Sequence, residues 1–280
     1  MSQPDFVSLR KKHAALLAEV DADIRQLFDL IDFRTLSVHN KSLATYADAP
    51  FETAIETEKN RFIMALELLT QAGAKGRVCD LGTFIPYLPL MLAKSGFQVS
   101  IVEKWSLYSP AFEKAVKELA AKRGVEVIDL DMVTDDFSRL PKADVVLLMA
   151  VIEHFNGSPR ELLGKIRRLV AENGHFILEV PNMAELGKRL AFLWGRSPLP
   201  AYADYFNSDY PFTGHNREMT VDEVAYALTH SGFRPQNITC YDFSAAAMAP
   251  TGKQAVLQLL KKVFPGATHY EAVMALARPA

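Results

Sequence analysis

The feature that most constrains this chain is the segment from Arg77 to Glu103. Two short apolar runs, Arg77–Leu81 and Gln98–Glu103, flank a helical stretch at 88–95 that Gly96 closes. Runs without polar alternation suit strands buried on both faces, as in parallel sheets. Parallel neighbours require a crossover of about a dozen residues or more, usually helical, and the stretch between the runs supplies one. Each run carries an acid near its carboxyl end: Asp80, two residues before Gly82, and Glu103. In a doubly wound sheet, ligands bind beyond the carboxyl ends of the strands, at the switch point. An acid at the end of the second strand can accept both hydroxyls of a ribose, because its two oxygens match a vicinal diol.

The same alternation continues downstream. Further strands are expected at 125–130, 143–149, 175–180, 236–241 and 270–277, with helices at 109–123, 159–171 and 221–230. The expectation is an α/β fold: a doubly wound, seven-stranded, mostly parallel sheet with right-handed crossovers. Ahead of it, apolar residues at helical spacing predict a helix over about 4–32, a polar irregular stretch at 37–50, and a second helix at 51–71. The organisation expected is thus an N-terminal helical extension at 1–50 and a main domain at 51–280, with an insertion at about 183–219. That insertion holds Pro198, Pro200 and Pro211 among Phe192, Trp194, Tyr202, Tyr205, Phe206 and Phe212. It reads equally as a lid over a binding site or as two amphipathic helices packed on the sheet edge.

Composition narrows the partners. The chain has 280 residues, 49% hydrophobic, with a formal net charge of −2 and no long run of one sign. No broad attraction to nucleic acid or to an anionic membrane is expected. Cys79 and Cys240 form no CxxC pair, which suits a reduced, cytoplasmic compartment. The first 21 residues break their apolar positions with charge, unlike a signal-peptide core. No uninterrupted apolar stretch is long enough to span a bilayer.

With these elements in order, the chain resembles the class I S-adenosylmethionine-dependent methyltransferases over roughly 51–243, in particular their small-molecule, ubiquinone-biosynthesis-like branch. That superfamily follows its first strand with Asp-x-Gly-x-Gly-x-Gly. Here the run is Asp80-Leu81-Gly82-Thr83-Phe84-Ile85-Pro86, which keeps the first glycine and places Phe84 and Pro86 at the next two. Asp131-Met132 follows the third strand, where the family places residues around the adenine. The run from Ala143 to His154, which includes Met149, resembles the fourth strand and its turn. Glu172-Asn173-Gly174-His175 and Val180-Pro181-Asn182 are similar to the entry and exit of strand five. His215-Asn216-Arg217-Glu218-Met219-Thr220 with Ser231-Gly232-Phe233 is similar to the segment around the last helix.

The resemblance implies S-adenosylmethionine as cofactor, bound by Asp80, Gly82, Thr83, Glu103, Asp131, Met132 and Met149. It implies methyl transfer to a small-molecule or sugar-like acceptor, for which a hydroxyl needs a base. His154 and His215 are the candidates by residue type and position. Some members of the branch bind a divalent ion through Glu-x-x-Glu-His and a distant histidine. Here the first carboxylate is missing, Ala150 standing in its place, which leaves Glu153, His154 and His215 as weak candidate ligands, and no metal is assigned. The competing expectation is a catalytically inactive binding or assembly module, favoured by Phe84 and Pro86. The N-terminal helix offers a surface for a homodimer or, alternatively, packs on its own domain. The acceptor's identity is not legible.

Overall fold

The computed structural model describes residues 3–29, 51–199, 201–208, 212, 214–244, 252–263, 266 and 268–280. The polar stretch expected at 37–50 and the end of the first predicted helix lie outside them.

Two N-terminal helices, α1 (Phe6–Lys12) and α2 (Ala14–Asp29), precede α3 (Phe51–Gln71). The alternating region then runs β1 (Arg77–Leu81), α4 (Tyr87–Lys94), β2 (Gln98–Glu103), α5 (Pro110–Lys122), β3 (Glu126–Asp129), β4 (Ala143–Met149), α6 (Arg160–Leu169) and β5 (Val170–Pro181). The insertion holds α7 (Leu186–Leu193) and α8 (Tyr202–Phe206). After it come α9 (Val221–His230), β6 (Phe233–Tyr241), α10 (Lys253–Val263) and β7 (Ala272–Pro279).

The seven strands lie in the order β3-β2-β1-β4-β5-β7-β6. The pairings β1–β2, β1–β4, β2–β3 and β4–β5 are parallel, whereas β7 runs antiparallel to both β5 and β6. The sheet is the expected one, and the direction in which successive strands are added reverses between β1 and β4, which opens the switch point above Asp80. One apolar layer covers one face, from α2, α3, α4 and α5; a second covers the other, from α6 and α9.

Most element boundaries match the sequence expectation, and the differences have local causes. Helix α6 stops at Leu169 rather than 171, because Val170 already pairs with Ala143 on β4. Strand β5 therefore begins earlier than 175. The predicted N-terminal helix breaks once, at His13, which forms the C-cap of α1. Helix α10 was not anticipated.

The helical extension is part of the core. Phe6, Leu17, Val20, Ile24 and Leu27 are buried in the same cluster as Val78 and Leu90. Polar contacts fix its register: the Tyr87 hydroxyl donates to Asp21 at 2.8 Å, Lys59 pairs with Asp21 at 2.9 Å, and buried Asp23 pairs with Arg123. The apolar face of α2 thus packs on its own domain. Ile24 is fully buried, so Ile24→Ala should lower unfolding free energy by about 2–5 kcal/mol. Urea unfolding measures it; a loss below about 1 kcal/mol would place α2 outside the cooperative unit.

Candidate functional site

Because β1 to β4 are parallel, their carboxyl ends share one edge, and the expected cofactor residues all fall there. Asp80 lies at the end of β1, and Gly82 and Thr83 follow it; Glu103 ends β2; Asp131 and Met132 follow β3; Met149 ends β4. Gly82 adopts φ +79° and donates its N–H to Val102 at 2.9 Å. A Cβ there would stand 2.6 Å from a Val151 methyl, so the turn admits only glycine. Asp80 is buried and accepts the Thr83 hydroxyl proton. Burial pushes its carboxyl up to about 6, against the lowering effect of Thr83.

Glu103 is also buried. It accepts from its neighbour Lys104 N–H at 2.8 Å and from the Tyr108 hydroxyl. Desolvation outweighs both bonds and raises it to about 8. The Phe84 ring stacks on Tyr108 at 5.8 Å between centroids and packs against Phe112 at 5.7 Å. Phe84 thereby joins an aromatic cluster with Trp105, and Pro86 takes the N-cap of α4. Asp131 is less available. It holds Lys104 at 2.7 Å, accepts from Val133 N–H, and lies below its usual pKa range, burial being outweighed by Lys104 and the backbone amides.

The second group of candidates sits beyond β4. Ala150 takes φ +53°, an unusual conformation for a residue with a side chain, and donates its N–H to Glu179 at 2.9 Å. Such a conformation costs on the order of 1–3 kcal/mol and concentrates at functional sites. The turn that follows leads to Glu153 and His154. The segment carrying His215 is held beside it: Asn216 N–H donates to the Glu153 carbonyl at 2.7 Å, and Asn216 Nδ2 to the His154 carbonyl at 3.0 Å. The imidazoles of His154 and His215 meet edge to face, 4.9 Å between centroids. His215 Nδ1 lies 3.0 Å from Glu218 Oε1, and its Nε2 lies 4.0 Å from Glu153 Oε1. Glu218 also pairs with Lys188.

Glu153 is fully buried, and neither of its oxygens has a hydrogen-bond partner. Burial and the charge of Glu179 raise it to about 7, against His215 and Arg61. One ligand atom from each of Glu153, His154 and His215 lies within 4.8 Å of the others, which gives a three-point donor set able to hold a cation. The residues expected as base and as weak metal candidates are therefore brought together.

Sequence reasoning missed the layer behind them. Glu179, fully buried on β5, is raised to about 7 by burial. Arg61 Nε lies 3.4 Å from Glu179 Oε1 without hydrogen-bond alignment, and the guanidinium rests over Phe243 at 4.2 Å. The available signals were a lone glutamate inside the apolar run Phe176-Ile177-Leu178-Glu179-Val180 and an arginine on the buried side of α3.

The sequence pattern of a family described as a methyltransferase domain matches residues 55–238. Among solved structures, the chain is similar to an N-methyltransferase of Bradyrhizobium japonicum complexed with S-adenosyl-L-homocysteine, at 14% identity over 92% of this chain and 98% of that one, TM-score 0.51. It is similar to the magnesium protoporphyrin IX methyltransferase of Synechocystis, with the same molecule bound, at 15% identity over 84% and 91%, TM-score 0.54. A third is a 1,6-didemethyltoxoflavin N1-methyltransferase of Burkholderia thailandensis, at 16% identity over 85% of each chain, TM-score 0.54. No curated protein matches the chain in sequence.

Glu103, Glu153 and Glu179 make a prediction about pH. Each is protonated in the fold at pH values where it is ionised in the unfolded chain. Between about pH 6.5 and 8.5 the ligand-free protein should therefore lose stability as pH rises. Carboxyls held low, such as Glu218, act only below about pH 4.5, and His175, lowered by burial and Arg278, acts only below about pH 6.5. Urea midpoints across the range should fall; Glu153→Gln should flatten the fall below about pH 7 and Glu103→Gln up to about pH 8. A flat wild-type profile would contradict the assignment.

Proposed function

We propose that this chain, which belongs to the methyltransferase domain family, transfers the methyl group of S-adenosylmethionine to a hydroxyl of a small-molecule or sugar-like acceptor. The observation that carries the reading is Glu153: a fully buried carboxyl with two unpartnered oxygens, beside two imidazoles at the carboxyl edge of the sheet. A buried polar group left unpaired is costly unless a ligand satisfies it.

The cofactor end fits as well. Gly82 lets the β1 turn close against Val151 beside the strand ends, and Glu103 presents a buried acid at the ribose position expected from the family. Met132 lies near the Gly82 turn and Met149 at the end of the switch-point strand, both partly buried. The bound cofactor supplies an electrophilic methyl on a sulfonium. The chain's own residues then have three tasks: to align the acceptor oxygen, to exclude water and to take the proton. His215 and His154 reach the proton; Glu153 and Glu218 fix the charge and orientation of His215. An alternative reading, resting on their mutual distances, is that Glu153, His154 and His215 bind a divalent ion that orients the hydroxyl.

An inactive module was the competing expectation, and its support was Phe84 and Pro86. Phe84 packs into the Tyr108–Phe112 cluster, and Pro86 starts a helix. Both have local structural roles, which weakens the case for a blocked site.

The test is a panel of small hydroxyl and amine acceptors, with S-adenosylhomocysteine release as the readout. Turnover of a hydroxyl acceptor should fall about 10²–10⁴-fold in His215→Ala with cofactor affinity unchanged. Turnover of amines alone would refute the hydroxyl assignment. Separately, Glu103→Ala should weaken S-adenosylmethionine binding by about 10–100-fold in calorimetry, the loss of charge-assisted hydrogen bonds, while the melting temperature moves little. Equal loss of both would make Glu103 structural.

A further inference from the structure

Helix α10 leaves an apolar face in solvent while part of its polar side is turned inward. Its polar side chains Gln258 and Lys261 point into the protein, both bonded to Asp242, at 2.8 and 2.7 Å. Lys261 is buried. Val256, Leu259 and Val263, which share a helix face at i, i+3 and i+7 spacing, are 58–60% exposed. A surface helix normally does the reverse. Helix α7 packs beside it, Gly187 lying against Leu257. At its C-terminal end Phe192, Leu193 and Trp194 are 70–80% exposed. Of the thirteen exposed large hydrophobic side chains among the described residues, ten fall on α7, α10 and the insertion around α8.

The charges carried by α7 and α10 themselves have one sign, whereas α8 carries the acid Asp204. Helix α10 contains three lysines and no acid. Arg196, Lys253 and Lys262 are exposed, and no ion pair among the described residues involves them. The net charge of −2 averages this local excess away.

We propose that α7 and α10 form a docking face for an anionic membrane surface, on which the protein lies without spanning it. Among the described residues no helix is long and apolar enough to cross a bilayer. Aromatic and aliphatic side chains flanked by Lys and Arg are the signature of interfacial helices: the apolar part enters the headgroup boundary while the cations remain with anionic lipid. A protein partner or a second copy would also bury apolar area, but the unpaired cations around the patch favour an anionic surface. The proposal goes beyond methyl transfer and does not depend on it.

Trp194 provides the probe. The chain has two tryptophans, and the other, Trp105, is 1% exposed. Mixed with vesicles of equal parts phosphatidylcholine and phosphatidylglycerol, the full chain should co-sediment, with Trp194 emission shifted to the blue and shielded from acrylamide. Phosphatidylcholine vesicles or high salt should release it. The doubly substituted Leu193→Glu, Leu259→Glu protein keeps the reporter and alters only exposed positions; its bound-to-free ratio should fall on the order of tenfold or more, with an unchanged melting temperature. Four results would overturn the proposal: no co-sedimentation with anionic vesicles; co-sedimentation that the double variant retains; Trp194 already shielded in buffer, which would mean that another part of the chain covers the face; or a wild-type dimer that the double variant dissociates while neither binds vesicles.

Discussion

Desolvation of carboxylates at one edge of a parallel sheet is the constraint around which the rest of the molecule is arranged. Asp80, Glu103, Glu153 and Glu179 are all buried, and all are raised by that burial. A core built for stability alone would place apolar groups there, since an ionised group in a dry interior costs several kcal/mol even after relaxation. The sheet accommodates the acids at strand ends, where backbone amides, Tyr108 and Thr83 meet some of their oxygens. Glu153 has no such partner. The strained Ala150, the glycine-only turn at Gly82 and the clasp of Asn216 on the Glu153 loop all hold this edge in shape.

Much of the fold was legible because its signals are local. The strands of the sheet announce themselves as apolar runs, and Gly82 and Glu103 stand at the spacing that a strand–helix–strand unit requires. The parts that were not legible depend on contacts distant in sequence. Arg61 and Glu179 are far apart in the chain and meet only when α3 packs on β5. Helix α10 escaped because its apolar residues are divided between two faces: Leu257 and Leu260 turn inward with Gln258 and Lys261, which Asp242 holds, while Val256, Leu259 and Val263 remain exposed. Phe84, at a glycine position of the family pattern, packs on Tyr108 and Phe112, residues more than twenty positions away in the chain.

The insertion was expected to be either a lid or a pair of packed helices, and its geometry divides these roles. Its last part, with His215 and Glu218, is drawn against the Glu153 loop and joins the candidate site. Its first part, α7, leaves its aromatic end in solvent beside α10. Lys188 ties the two parts together, pairing with Glu218 and donating to the Asn182 carbonyl at 3.1 Å. Helix α7 therefore reaches the imidazole proposed to take the proton through two contacts, Lys188 to Glu218 and Glu218 to His215.

The central claim is that the carboxyl edge of β1, β2 and β4 is a formed pocket for S-adenosylmethionine. Titration calorimetry of the intact wild-type protein with S-adenosylhomocysteine tests it most directly. The account predicts saturable binding at one site per chain, accompanied by a rise in melting temperature. Absence of both heat and thermal stabilisation in a folded sample would contradict it.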